Sequence, residues 1–252
     1  MLPYIQIGPF RLWTYGLMLA WGLWTAFHFF RDDIKRRKLP VDSGALMLAI
    51  AFAGLIGAKL YHVIVTLVLT EHQPISWRGI LDPAGLAWNG GLIAGFAVLL
   101  WYAHSKRVSI WSLLDAASPA AAVGYAFGRM GCFLAGDGDY GKPTSLPWGM
   151  SFPHGLVPTT QRVHPTPLYE IAGSLFLLVV LMKISKRDVA PGFVFATYLV
   201  ISGIFRFAVE FIRLNSPVFL RLTEAQVISL ISILVGSVLL IRARSSALLE
   251  VH

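Results

Sequence analysis

The segment 205–213 places charged side chains within an apolar stretch predicted to be helical. Arg206 and Glu210 are four residues apart, a spacing that brings two side chains together on a helix surface. Arg213, seven residues after Arg206, is predicted to continue the same stripe. The pair has two interpretations. It is either an Arg–Glu pair that only neutralises itself within a helix bundle, or a guanidinium that Glu210 orients toward an anion.

A second arginine, Arg129, stands near the start of a glycine-rich segment, residues 128–141. Glycines permit turns with positive φ and let the backbone approach a ligand closely. The alternative is a flexible loop in which Asp137 and Asp139 are solvated. Two carboxylates alone are a weak signal for a divalent cation.

A third group of candidates lies in residues 163–170. Pro165 and Pro167 are expected to end a loop and begin a helix. Glu170 would then lie near a helix N-terminus, where negative charge is favoured. His164, beside Pro165, is either a structural or a catalytic residue.

A fourth segment, residues 88–95, combines small residues with one polar side chain. Gly91 and Gly95 are four residues apart, which in a membrane helix usually indicates close helix packing. That interpretation accounts less well for Asn89, which precedes Gly90 and Gly91.

Arginine is the side chain best suited to phosphate, because its planar guanidinium stays charged and binds two oxygens at once. Arg129 and Arg206 would therefore suit a phosphodiester if they lie at one membrane interface. The abundant phosphodiester at that depth is a phospholipid. From the residues alone, transferase, phospholipase, flippase and receptor all remain open.

The elements that must position these residues are membrane helices. The chain has 252 residues, of which 56% are hydrophobic and only 13% are charged, and its mean hydropathy is +0.66. A soluble domain carries about 25% charged residues. The composition predicts an all-α, polytopic membrane protein, and the unbroken apolar runs disfavour a β-barrel.

About seven spans are predicted within a single transmembrane domain over residues 1–252. We expect the first span, which ends before Arg31, to be retained rather than cleaved. A long outer loop over residues 128–165 follows the fourth span. The predicted spans are Leu12–Phe30, Ser43–Leu69, Ala84–Ser105, Val108–Phe127, Thr166–Met182, Gly192–Ile212 and Thr223–Ile241.

The distribution of basic residues orients these spans. Most lysines and arginines fall in short segments that would share one side, namely residues 31–38, 106–107, 183–187 and 242–244. Because basic residues favour the cytoplasmic side, the N-terminus is predicted outside and the C-terminus inside. Arg129, Arg206 and Glu210 then gather near the outer surface.

Other features limit the possible functions. The net charge of +8 is explained by cytoplasmic loops, so no nucleic acid is expected as a partner. Cys132 is the single cysteine, so no intramolecular disulfide forms, and the thiol is either a packing residue or a nucleophile. No metal or cofactor motif is present. Ionisable residues inside spans are functional candidates by default, here Lys59, His62 and Asp115.

Six motifs in order resemble the prolipoprotein diacylglyceryl transferase family along nearly the whole chain. Any one of them is weak, but the series on a seven-span topology is specific. The motifs are Trp13-Thr14-Tyr15-Gly16-Leu17-Met18, Gly57-Ala58-Lys59-Leu60-Tyr61, Asn89-Gly90-Gly91-Leu92-Ile93, Gly128-Arg129-Met130-Gly131 through Gly141, His164-Pro165 with Leu168-Tyr169-Glu170, and Phe205-Arg206 through Arg213.

The resemblance implies an enzyme of the bacterial inner membrane whose active site faces outward. Such an enzyme moves diacylglyceryl from phosphatidylglycerol to the lipobox cysteine in the signal peptide of a preprolipoprotein, without a cofactor. Its partners are these two substrates and the surrounding membrane lipids.

The resemblance also implies residue roles. Arg129 and Arg206 would stabilise the departing phosphate, Glu210 would orient Arg206, and Asp137 would hold the loop or Arg129. Residues expected near the substrate are Tyr15, Asn89, Gly90, Gly91, Gly141, Glu170 and Arg213.

The chain departs from the family where a base is expected. The family usually has His at the position of Asn89, and an asparagine side chain cannot take up a proton as a base does. The base is then His164 or Glu210, or the thiol ionises without one. The family usually has Asn at the positions of Cys132 and Ala135. A divergent relative that binds phospholipid or modifies another acceptor is therefore the alternative, and an unrelated lipid transporter is the third hypothesis.

Overall fold

The computed structural model describes residues 1–65 and 87–249. The chain falls into two compact units, one of residues 1–33 with 114–252 and the other of residues 34–113. The single-domain organisation remains a prediction. The elements in chain order are β1 (Tyr4–Ile7), β2 (Phe10–Trp13), α1 (Thr14–Arg36), α2 (Ser43–Tyr61), α3 (Trp88–Lys106), α4 (Ile110–Ala135), β3 (Met150–Phe152), β4 (Thr159–Val163), α5 (Thr166–Ser185), α6 (Phe193–Glu210) and α7 (Glu224–Leu249).

The predicted helical membrane architecture is confirmed. Within the described residues, four helical stretches are long and apolar enough to cross a membrane: Ser43–Val65, Thr166–Ser185, Phe193–Glu210 and Glu224–Ala243. Each predicted span overlaps one helix, although the ends predicted at 66–69 and 84–86 lie outside the described residues. The count of seven spans stays a prediction.

The predicted start of the outer loop at residue 128 is wrong. Helix α4 continues through Arg129 to Ala135, because residues 128–135 contain no proline and half of them are good helix formers that offset the two glycines. It ends at Gly136, whose φ of +61° and N–H bond to the Cys132 carbonyl (2.9 Å) terminate the helix. Arg129 is therefore held on a helix, not on a turn.

The segment after α4 is folded rather than irregular. Strands β3 and β4 pair antiparallel, and β1 and β2 form a second hairpin. Tyr140 stacks on Phe152 with ring centroids 4.4 Å apart, and Val163 completes this buried cluster. These short strands were not predicted, since three- to five-residue strands leave little periodic signal.

Asp115 has a structural role. Its side chain is fully buried and accepts the backbone N–H groups of Gly192 and Phe195, at 2.9 and 2.8 Å. These groups begin α6, and a helix N-terminus stabilises a negative charge. Because Asp115 caps the N-terminus of α6, a buried carboxylate is stable within the apolar helix α4.

In the unit of residues 34–113, helices α2 and α3 approach closely through glycines. A Cβ built on Gly90 would lie 2.2 Å from the Gly57 carbonyl oxygen, and one on Gly91 would lie 3.2 Å from that of Gly54. The predicted close packing at Gly91 is confirmed. Helix packing accounts for Gly90 and Gly91, whose predicted role in substrate binding stays a prediction.

The Gly90→Ala variant is expected to destabilise the protein by about 1–3 kcal/mol, because the new methyl group overlaps backbone that has no room to move. Thermal unfolding in detergent measures this. Gly95→Ala is the matched control in the same helix, since its Cβ would meet only the Ile50 side chain at 3.4 Å. Equal stability of the two variants would contradict the packing argument.

Candidate functional site

Three arginines and three carboxylates meet in the unit that contains α4, α5 and α6. Helix α4 contributes one arginine, α5 one glutamate, and α6 an arginine and a glutamate. The chain after α4 and the chain after α6 add one residue each. We call this set the arginine–carboxylate network; its members are Arg129, Asp139, Glu170, Arg206, Glu210 and Arg213.

Glu170 is at the centre of the network, with only 3% of its side chain exposed. Its Oε1 lies 3.1 Å from Arg206 Nη1, and its Oε2 lies 3.3 Å both from Arg129 Nε and from Arg213 Nη1. The Tyr125 hydroxyl donates to Oε1 at 2.7 Å. Glu170 lies near the N-terminus of α5, as predicted, and its carboxylate is also stabilised by three guanidiniums.

Glu210 contacts Arg206, as the i,i+4 spacing predicted. Its Oε2 lies 3.0 Å from Arg206 Nη2, and its Oε1 accepts from Asn215 Nδ2. The prediction that Arg213 continues the helical stripe is wrong, because α6 ends at Glu210 and the chain turns. Arg213 nevertheless reaches Glu170 from this turn.

Asp139, for which the sequence left open a solvated carboxylate or a cation ligand, is instead bound by two arginines. One oxygen contacts Arg129 Nη1 and the other contacts Arg213 Nη2. Burial alone would raise the pKa of Asp139, but these two guanidiniums lower it below the usual value. Asp139 therefore stays ionised at neutral pH. No motif in the sequence distinguishes it from Asp137.

Asp137 holds the loop, which was one of its two expected roles. Its Oδ1 accepts the backbone N–H of Asp139 at 3.2 Å. Burial raises the pKa of Asp137, and the charge of Asp139 raises it further. Asp137 thus orients the backbone that presents Asp139 to the arginines.

Gly141 contacts two other segments of the chain. Its N–H donates to the His164 carbonyl at 2.9 Å, and its backbone pairs with that of Arg213 as in an antiparallel sheet. An added Cβ would lie 2.5 Å from the Ile212 carbonyl oxygen. The absence of a side chain at Gly141 thus lets the chain around Arg213 approach the loop.

Arg129 and Arg206 converge on one carboxylate and remain partly accessible. Their side chains are 19% and 25% exposed, against 8% for Arg213. Arg129 also lies over the Tyr125 ring, 5.0 Å from its centroid. The two guanidiniums can therefore meet a ligand while Glu170 and Glu210 fix their orientation.

His164 is in the same unit and contacts a tyrosine rather than a member of the arginine–carboxylate network. Its Nδ1 is 3.2 Å from the Tyr169 hydroxyl, which also accepts from Trp148 Nε1 at 2.7 Å. Trp148 and Tyr169 line a cavity of about 540 Å³ together with Pro147, Gly149, Met150, Pro165 and Leu168. His164 thus contacts a residue that lines an open cavity.

The remaining predicted residues lie in two places. Tyr15 packs on α4, since a Cβ on Gly131 would be 2.9 Å from Tyr15 Cδ2. Asn89, Gly90 and Gly91 belong to the other compact unit. Their predicted contact with substrate stays a prediction.

A cation is disfavoured beside the arginines. Donor atoms of Cys132, Asp137 and Asp139 lie within 4.8 Å of one another. However, Arg129 and Arg213 already bind Asp139, and Arg129 Nη1 lies 3.9 Å from Cys132 Sγ. The positive charge of these guanidiniums opposes a metal ion at this position.

Comparison with known proteins gives a consistent result. Residues 3–242 match the model of the family described as prolipoprotein diacylglyceryl transferase. A phosphatidylglycerol–prolipoprotein diacylglyceryl transferase of Methylococcus capsulatus is 33% identical, over 95% of this chain and 94% of the relative. Relatives with the same name from Geobacter sulfurreducens and Clostridium tetani are 32% and 31% identical. The alignment with the Geobacter relative covers 83% of this chain and 81% of the relative, and the alignment with the Clostridium relative covers 90% and 91%.

Proposed function

The chain belongs to the prolipoprotein diacylglyceryl transferase family and is a transferase, and we propose that it transfers diacylglyceryl from phosphatidylglycerol to the lipobox cysteine of preprolipoproteins. The proposed partners are phosphatidylglycerol, the signal peptide that carries the lipobox, and the surrounding membrane lipids. The reaction needs no cofactor.

The proposed reaction is a displacement at carbon. The cysteine sulfur attacks the glyceryl carbon that carries the phosphate, and a C–S bond forms while the C–O bond to phosphate breaks. The electron pair of that bond leaves with glycerol phosphate, and the thiol proton passes to a base. Catalysis therefore requires a thiolate and stabilisation of negative charge on the departing phosphate.

One observation carries the proposal: Arg129 and Arg206 both bind Glu170 and are both partly exposed. Held guanidiniums are preorganised donors, so they stabilise developing charge without reorganising during the reaction. In this mechanism they bind the phosphate oxygens, while Glu170 and Glu210 position them.

His164 is the better candidate for the base that receives the thiol proton. The Glu210 side chain is fully buried and is paired with Arg206, so a substrate thiol does not reach its carboxylate. His164 is half-buried, and its ring contacts Tyr169 beside the cavity. Asn89, in place of the family's usual His, leaves this role to another residue.

The other residues have supporting roles in this mechanism. Asp137 holds the loop that carries Asp139, and Gly141 brings that loop against the chain around Arg213. Tyr15, packed on Gly131 two residues after Arg129, is proposed to contact the headgroup.

The purified full-length chain in micelles that contain phosphatidylglycerol tests the proposal. A synthetic lipobox peptide should gain the mass of one diacylglyceryl group, and the same peptide with Ser for Cys should gain nothing. Retention of phosphatidylglycerol without modification of the peptide would favour the alternative that Asn89 suggests, a relative that binds phospholipid without transfer. Movement of intact lipid across a bilayer would instead indicate a transporter.

We also propose that the protein lies in the bacterial inner membrane, with its N-terminus and active site outside and its C-terminus in the cytoplasm. Reporter fusions at His104 and Ser145 test this orientation. Because most basic residues lie on the other side, position 145 is expected outside and position 104 in the cytoplasm. A cytoplasmic reporter at position 145 would overturn the orientation.

A further inference from the structure

We propose that the Asp139 carboxylate occupies the phosphate position of the substrate site, and that the phosphodiester displaces it by rotation of the Asp139 side chain. The proposal deepens the function proposed above and rests on it. It makes Asp139 a residue that tunes affinity for phosphate, not one that takes part in the chemistry.

The geometry of Asp139 is that of a bound anion. Its two oxygens bind different guanidiniums, one on Arg129 and the other on Arg213. Arg129 comes from α4 and Arg213 from the turn after α6. A phosphate that replaces this carboxylate would bind Arg129 and Arg213 through the same type of hydrogen bond. Its contact with Arg206, proposed above, is retained in this placement, because Glu170 binds all three guanidiniums.

The charges of the network support displacement. Its three guanidiniums balance three carboxylates when Asp139 is in place. When the Asp139 side chain turns away, one positive charge is left uncompensated within the network. A phosphodiester carries one negative charge, so the exchange restores the balance.

Asp139 is the carboxylate of the network best able to move. Its side chain is 30% exposed, whereas those of Glu170 and Glu210 are 3% and 0% exposed. Its backbone is fixed, since Asp137 binds its N–H and the Thr166 hydroxyl donates to its carbonyl. Rotation of the side chain alone therefore opens the site, with no movement of the loop.

The Asp139→Asn variant removes the competing charge and keeps the size of the side chain. We expect its KM for phosphatidylglycerol to fall about five- to tenfold, with a smaller change in kcat, since one charge-assisted hydrogen bond is worth about a factor of ten. Asp139→Glu keeps the charge and should not lower KM. Asp32→Asn is the control, because Asp32 is exposed and pairs with Arg31.

A binding measurement separates this proposal from the proposed function. Glycerol phosphate is titrated into the wild-type chain and into Asp139→Asn in detergent, and calorimetry gives both Kd values. Tighter binding to the variant supports displacement even if the wild type transfers no lipid. A higher KM together with weaker glycerol phosphate binding in a folded Asp139→Asn would overturn it, since Asp139 would then position the arginines.

Discussion

The Arg129→Ala and Arg206→Ala variants are each expected to lower the rate of diacylglyceryl transfer about 10²–10³-fold, the usual effect of removing one preorganised donor to a developing oxyanion. The loss should fall mainly on kcat, because the negative charge on the phosphate grows as the C–O bond breaks. Lysine at either position should restore only part of the rate, since its ammonium lacks the planar pair of donors.

Transfer to the lipobox peptide, followed by mass spectrometry, gives these rates. Arg31→Ala is the matched control, because Arg31 is an arginine with a carboxylate partner, Asp32, outside the network. Near-normal rates for Arg206→Ala would remove Arg206 from the mechanism and favour the self-neutralising ion pair that the sequence also allowed.

The Glu170→Gln variant is expected to lose about 3–5 kcal/mol of stability, because it breaks a buried network by removing the charge at its centre. Three guanidiniums bind this carboxylate, and the amide of glutamine would place donor hydrogens against one of them. Transfer activity should fall as well, since Arg129 and Arg206 would lose their common anchor.

Thermal unfolding in detergent and the transfer assay together test this expectation. Asp32→Asn serves as the control for removal of one exposed carboxylate, and it should unfold near the wild-type temperature. A Glu170→Gln protein of wild-type stability would show that the arginines are held by other contacts.

The sequence predicted the parts of this molecule that depend on local periodicity. Long apolar runs predicted the helices, and the i,i+4 spacing predicted the contact between Arg206 and Glu210, which the structure confirms at 3.0 Å. The glycine pattern predicted the close approach of a helix at Gly91.

Tertiary contacts were predicted only in outline: Arg129 and Arg206 were expected to lie together, but the residues that hold them were not identified. The role of Asp139 arises because two arginines, from α4 and from the turn after α6, meet at its carboxylate. The glycines of residues 128–141 led to the prediction of a loop, whereas α4 continues to Ala135. The convergence of three arginines on Glu170 is likewise a product of helix packing, which no single segment encodes.

The most direct measurement of the central claim is a structure with a non-cleavable phosphonate analogue of phosphatidylglycerol. Phosphonate oxygens are expected within about 3.2 Å of guanidinium nitrogens of both Arg129 and Arg206. A phosphonate bound elsewhere, with both arginines still paired to their carboxylates and out of contact with it, would contradict the account.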